Sequence, residues 1–378
     1  MKTDFFEDIE RLRGFACILV LIQHLAWICP LRYTYEIIPQ YLLNGTGGVR
    51  LFFAISGFVV TLSLRDKLNL MRDGTFLDRL FSAKDLLFSF YKKRFYRIFP
   101  VVFFVLIALG IFLGFTEDDS AWGIIFLRTP AEIFFGVYNS AMELFCGTER
   151  IHFCGPGPFW TLAVEAQFYI FWPLILLACK NDNARAVVSL TLGLLFMYLI
   201  LPVLRAQYGF RYYYTYNNLA ELFLGSFLAF LYRGKAPAAE SKLLKLTAAT
   251  LALLVWFYPN ASDSEFYSAT VVSSASVLLV ALAVFARESF KIPLLCKIFN
   301  FLGNRSFSFY TVQLTIANIV VYYTNSIYFS KEAFSEYEFY RCQFLIFIVA
   351  LFVVTELVYR FIEKPFRKIG REEAVGRA

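Results

Sequence analysis

The chain has 378 residues, of which 59% are hydrophobic, 19% aromatic and only 17% charged, with a formal net charge of +7. Soluble domains carry about 25% charged and 45–50% apolar residues, so this composition excludes an ordinary soluble globular protein. The positive balance does not require nucleic acid as a partner, because orientation in a membrane accounts for the placement of Lys and Arg.

Apolar blocks occur at about 13–31, 47–65, 97–115, 158–179, 186–204, 212–232, 243–259, 267–286, 306–325 and 341–362. Each approaches the roughly 20 residues that a helix needs to cross a bilayer. The blocks are continuously apolar rather than alternating, which selects helices over a β-barrel. The expectation is an all-α polytopic membrane protein, about ten transmembrane helices in one domain over 1–378, with both termini on one side. With the N-terminus inside, the inner segments hold 28 of the 36 Lys and Arg residues. That asymmetry places both termini in the cytoplasm. The first block is longer than the apolar core of a signal peptide, and no small-residue cleavage site follows it.

In chain order, "RLRGFACILVLIQHL" comes first and brings Arg13 and His24 onto one helix. Eleven residues is about 20° past three full turns, so the two share a face about 16 Å apart along the axis. A histidine deep in an apolar span is costly and reads as a functional candidate. In "GGVRLFFAISGFVV", Gly47 and Gly48 let the second helix start close to its neighbours, and Ser56 is a candidate nucleophile or a small contact residue. Residues 66–96 read as a cytoplasmic loop with an amphipathic, interfacial helix, since Leu77, Leu80, Phe81, Leu87, Phe88 and Tyr91 recur at helical spacing. At its end, "FYKKRFYRIFP" sets Arg94 and Arg97 at i, i+3, a spacing suited to phosphate at a membrane entrance.

Residues 116–157 form a long extracytoplasmic loop, of the kind that often carries function. It holds Cys146 and Cys154, which could bridge in an oxidising compartment. No cysteine pair has metal-ligand spacing, so no metal is expected. "FWTLAVEAQFYIFWP" places Glu165 about 10 Å below the outer surface, near the depth counted for His24, with Tyr169 one turn further. A carboxylate and an imidazole at one level suit general acid–base chemistry, with Glu165 orienting the ring. The aromatic run "RYYYTYNN", which includes Tyr213, offers faces for sugar rings or an interfacial belt. Glu221 follows in the same block as a further candidate substrate contact.

Together these stretches resemble the acyltransferase 3 family of bacterial membrane O-acyltransferases. The family pattern has an arginine, ten residues and a histidine, here Arg13 and His24. It has G-x-x-L-F-F-x-x-S-G-F, here "GVRLFFAISGF", then R-x-x-R, here Arg94 and Arg97. It has S/T-L-x-x-E-x-x-F-Y, here "TLAVEAQFY", and E-x-P-x-R, here Glu363, Pro365 and Arg367. Two positions depart from it. Arg50 stands where an acid is common, and Gln313 where many members have a second histidine.

The resemblance implies a multi-pass protein of the bacterial inner membrane, surrounded by lipid, that takes acyl-CoA (most simply acetyl-CoA) as a cytoplasmic co-substrate. It implies a sugar hydroxyl of a surface glycan as acceptor. His24, Glu165 and Ser56 would be the catalytic candidates; Arg13, Arg94 and Arg97 would bind the donor; Tyr169, Glu221 and Tyr213 would contact the acceptor. The hydrolase-like C-terminal domain of some members is not seen in this sequence. Three other readings stay open: a proton-coupled transporter with His24, Glu165 and Glu221 as relay, a non-catalytic glycan-binding protein, and an acyltransferase with a small-molecule acceptor.

Overall fold

The computed structural model describes residues 4–25, 45–71, 73–114, 159–200, 203, 215–234, 241–258, 265–291, 294–331 and 336–375. The described residues are overwhelmingly helical and contain no strand. The helices are α1 (Asp4–Leu25), α2 (Thr46–Leu68), α3 (Phe76–Ser82), α4 (Lys84–Gly114), α5 (Phe159–Ala178) and α6 (Asp182–Leu195), which continues as a π turn over Phe196–Ile200. After a 3-10 turn at Thr215–Asn217 come α7 (Leu219–Leu231), α8 (Lys242–Phe257), α9 (Glu265–Phe285), α10 (Cys296–Asn304) and α11 (Ser306–Lys331). The chain then forms α12 (Glu336–Val358), a π turn (Tyr359–Glu363) and α13 (Lys364–Val375).

Each of the ten apolar blocks contains helix. Among the described residues, six helices are long and apolar enough to cross a membrane: Thr46–Leu68, Lys84–Phe112, Phe159–Ala178, Asp182–Ile200, Ser268–Phe285 and Glu338–Glu372. The α7 helix is apolar but has 13 residues, which gives about 20 Å of rise against a hydrocarbon core of about 30 Å.

The reading of 66–96 as a loop ahead of a separate span needs one correction. The turn after α2 gives way to α3, closed by a capping box in which Thr75 and Asp78 exchange side-chain bonds with each other's backbone N–H. The α4 helix then runs unbroken for 31 residues through Pro100. Nothing between Lys84 and Phe99 breaks a helix, so the amphipathic stretch and the span fuse. Leu77, Phe81 and Phe88 are exposed, as an interfacial segment requires.

The chain forms two compact units, one of Met1–Val20, Asn44–Phe88 and Val164–Asn304, the other of Leu21–Leu43, Ser89–Ala163 and Arg305–Ala378. In the first unit, Leu12 and Leu19 of α1, Phe58 of α2, Val255 of α8 and Val280 of α9 share one buried cluster. The closest helix contacts use glycine. A Cβ on Gly57 of α2 would lie 2.0 Å from the Leu222 carbonyl oxygen, and one on Gly225 of α7 would lie 2.1 Å from that of Ala54. Small residues that let backbones meet are the usual glue where lipid removes the hydrophobic drive between helices. Gly47 and Gly48 act as their sequence suggests: a Cβ would meet the Val255 oxygen at 2.0 Å or the Ala16 oxygen at 2.7 Å.

Polar bonds cross the same packing. Trp172 Nε1 donates to Thr61 Oγ1 at 2.7 Å, and Thr61 donates on to Ser226 Oγ at 2.8 Å. Buried Arg185 of α6 donates to Asn69 Oδ1 at 2.7 Å and to the Leu176 carbonyl at 3.0 Å, tying the ends of α2 and α5 together. In the second unit, Glu363 is buried and accepts from Ser308 Oγ at 2.6 Å, Ser308 N at 3.2 Å and Arg367 Nη1 at 2.9 Å. Glu363 of the E-x-P-x-R stretch thus satisfies an N–H at the start of α11, whose first N–H groups have no partner within the helix, and Arg367 of the same stretch balances its charge. The α13 helix rests on α4 at Gly370, where a Cβ would come within 2.8 Å of the Tyr96 side chain.

Candidate active site

Arg13 and His24 lie on one continuous helix, α1. Arg13 is half-buried and donates to Glu10 Oε1 at 2.7 Å, one turn earlier. His24 is half-buried in the last turn. Its Nδ1 lies 2.9 Å from Oε1 of Gln313, on α11 and 289 residues away in sequence. A carboxamide oxygen only accepts, so Nδ1 carries the proton. In the neutral ring the lone pair is then on Nε2, which is the atom free to take a proton. Gln313 is fully buried, and its Nε2 makes no hydrogen bond among the described residues.

Glu165 was expected to orient His24. Its carboxylate instead accepts from the Tyr169 phenol at 2.7 Å, four residues along α5, and the partner on Nδ1 of His24 is Gln313. Tyr169 is buried, and Ser56 Oγ of α2 lies 3.2 Å from its oxygen. Since the phenol proton points to Glu165, the phenol oxygen accepts from Ser56. Ser56, Tyr169 and Glu165 therefore form one directed chain, hydroxyl to phenol to carboxylate. The residues were all legible as candidates; their order was not.

Glu221 lies within the packing of the first unit. It is fully buried and paired with Arg50 of α2, and Ser273 of α9 donates to the same oxygen and accepts from Arg50 Nη1 at 2.9 Å. A carboxylate paired in this way helps pack α2, α7 and α9, while its second oxygen, Oε2, is buried without a hydrogen-bond partner among the described residues. The signal was present in the sequence as the basic residue at position 50 where resemblance led one to expect an acid.

Arg94 and Arg97 are both half-buried on α4, one turn apart, with the Arg94 guanidinium 5.3 Å from the Phe90 ring centroid. Tyr213, Cys146, Cys154 and the loop 116–157 lie outside the described residues. Among the described residues no group of His, Cys, Asp or Glu is arranged to hold a metal ion.

The order and spacing of these residues can be set against known proteins. The family model described as an acyltransferase domain (acyltransferase 3) matches residues 6–360. The chain belongs to the acyltransferase 3 family. Its curated relatives include the protein named O-acetyltransferase OatA of Staphylococcus aureus strain NCTC 8325 / PS 47, 24% identical over 388 residues. The OatA of strain N315 matches to the same degree. In each case the match covers 97% of this chain and 58% of the relative, so the chain spans a little over half the length of these proteins. No solved structure matches this member of the family. Family membership makes it an acyltransferase-type membrane protein, and the six long apolar helices among the described residues agree.

Proposed function

We propose that the chain is an O-acetyltransferase of the bacterial inner membrane. It would move an acetyl group from acetyl-CoA on the cytoplasmic side to a sugar hydroxyl of a cell-surface polysaccharide or its lipid-linked precursor. The observation that carries this reading is the bond between His24 Nδ1 and the Gln313 oxygen, which leaves the other ring nitrogen as a base in the last turn of α1. Family membership supports acyl transfer, and the relatives' names support an acetyl group and an oxygen acceptor.

The roles follow from chemistry. Arg94, Arg97 and Arg13 would hold the phosphates of the donor, since guanidinium groups pair well with phosphate oxygens. Arg13 and His24 lie about 16 Å apart along α1, a length that an extended pantetheine arm covers in order of magnitude. His24 Nε2 would remove the acceptor's hydroxyl proton while the oxygen attacks the thioester carbonyl. The tetrahedral intermediate would then expel CoA thiolate, which takes the proton back from the imidazolium. The Ser56–Tyr169–Glu165 chain would contact the glycan acceptor.

The test uses the full chain in sealed vesicles, with acetyl-CoA on one face and a soluble glycan on the other. Release of free CoA thiol that depends on the glycan, with acetyl ester appearing on the sugar, is the expected result. Glycan-independent hydrolysis, or no release at all, would overturn the reading.

A further inference from the structure

We infer that the carboxamide N–H of Gln313 is the hydrogen-bond donor that holds the thioester carbonyl oxygen of the acyl donor beside His24. The inference rests on the function proposed above and adds a catalytic residue to it.

Two observations lead there. Gln313 is fully buried, and its Nε2 has no hydrogen-bond partner among the described residues. An amide left unpaired in that setting carries a desolvation cost of about 1–3 kcal/mol, which a protein retains where a ligand repays it. The amide's other atom is already engaged, with Oε1 2.9 Å from Nδ1 of His24. With Oε1 accepting from Nδ1–H, Nε2 is the atom of the carboxamide left to donate. One side chain thus holds the base and presents an N–H beside it.

The chemistry needs such a donor. When the acceptor oxygen attacks, the carbonyl π pair moves onto oxygen and a negative charge develops there. A preorganised N–H in a water-poor site stabilises that charge without reorganisation at the moment of reaction. The proton released by the hydroxyl goes to His24 Nε2 and then to the departing CoA thiolate, so Gln313 neither gains nor loses a proton. Its role is electrostatic, and it is exerted on the donor rather than on the glycan.

The test is infrared difference spectroscopy of the full chain in nanodiscs with acetyl-CoA labelled with carbon-13 at the thioester carbonyl. The bound carbonyl band should move to lower frequency than in free acetyl-CoA. An unshifted band in the wild-type protein at full occupancy would overturn the inference without any variant. Among variants, Gln313→Glu keeps an oxygen for Nδ1–H and, ionised against the imidazole, has no proton to donate, while Gln313→Met loses both functions. Both should return the band to its free position and lower the transfer rate by roughly 10²–10³-fold, the usual effect of losing one such donor, with acetyl-CoA affinity nearly kept. Gln313→His should retain the shift. A Gln313→Glu protein with wild-type rate and wild-type band would reduce Gln313 to an anchor for His24. Failure of the wild-type chain to bind acetyl-CoA would sink the donor reading itself, and this inference with it; transfer that proceeds with an unshifted band would sink this inference alone.

Discussion

Arg50 and Glu221 form a buried ion pair across 171 residues of sequence, joining α2 to α7. Their side chains are 5% and 0% exposed, so neither charge has water as a substitute partner. Breaking one side leaves an uncompensated buried charge, which typically costs about 3–5 kcal/mol. Arg50→Ala and Glu221→Ala should each lower the melting temperature in detergent and the yield of folded protein. The paired change Arg50→Leu with Glu221→Leu should recover most of the loss, since apolar replacements remove both charges together. Loss of activity in Glu221→Gln at unchanged melting temperature would instead assign Glu221 to substrate binding.

The α2–α7 contact makes a second stability prediction. A methyl group on Gly57 or Gly225 would meet backbone oxygen at 2.0 or 2.1 Å, and backbone cannot rotate aside. At Gly193 the nearest atoms belong to the Leu224 side chain, at 2.6 Å, and a side chain can change rotamer. Overpacking of this kind costs about 1–3 kcal/mol or more. Gly57→Ala and Gly225→Ala should destabilise the protein clearly more than Gly193→Ala when all three are melted under the same conditions. Equal shifts would mean that the helices separate freely.

These two contacts also mark how far the sequence could be read. Helical class, the shared face of Arg13 and His24, and the close approach at Gly47 and Gly48 follow from spacing and composition, which are local. The partner of Arg50 does not, because a sequence has no distance between positions 50 and 221. The same holds for His24: depth counting paired it with Glu165, while the structure bonds it to Gln313, a residue that drew notice only as a departure from the family pattern. The fused α4 helix was missed for a different reason. Amphipathic and apolar periodicities were treated as separate elements although nothing between them breaks a helix.

Arg94 and Arg97 make the donor site testable. Each should contribute a charge-assisted bond to phosphate worth about 1.5–3 kcal/mol, so Arg94→Ala or Arg97→Ala should weaken acetyl-CoA binding roughly 10- to 100-fold. The loss should shrink for dephospho-CoA if the 3′-phosphate is the contact. Unchanged affinity in both variants would leave these arginines as orientation signals.

His24→Ala should lower transfer by about 10²–10⁴-fold, the usual contribution of a positioned base. Acetyl-CoA affinity should stay near normal because the imidazole acts on reacting atoms. Arg13→Ala should show the reverse pattern, with weakened donor binding. A His24→Ala protein, matched for expression, that keeps most of its transfer activity would make the histidine a packing residue.

The Ser56–Tyr169–Glu165 chain separates orientation from general acid–base work. Tyr169→Phe keeps the ring in its buried site but cuts the 2.7 Å bond to Glu165 and the 3.2 Å contact with Ser56. A hydrogen bond to a charged group is worth about 1.5–3 kcal/mol, so the rate should fall roughly 10- to 100-fold if the chain positions the acceptor. Glu165→Gln should cost less, because the amide oxygen still accepts from the phenol and keeps the direction of the chain. The effect should appear mainly in the apparent KM for the glycan, with acetyl-CoA affinity unchanged. A loss confined to kcat, equal in Tyr169→Phe, Glu165→Gln and Ser56→Ala, would show that the three act as a unit in the chemical step. Wild-type rates in all three would show that the chain serves only to hold α2 against α5.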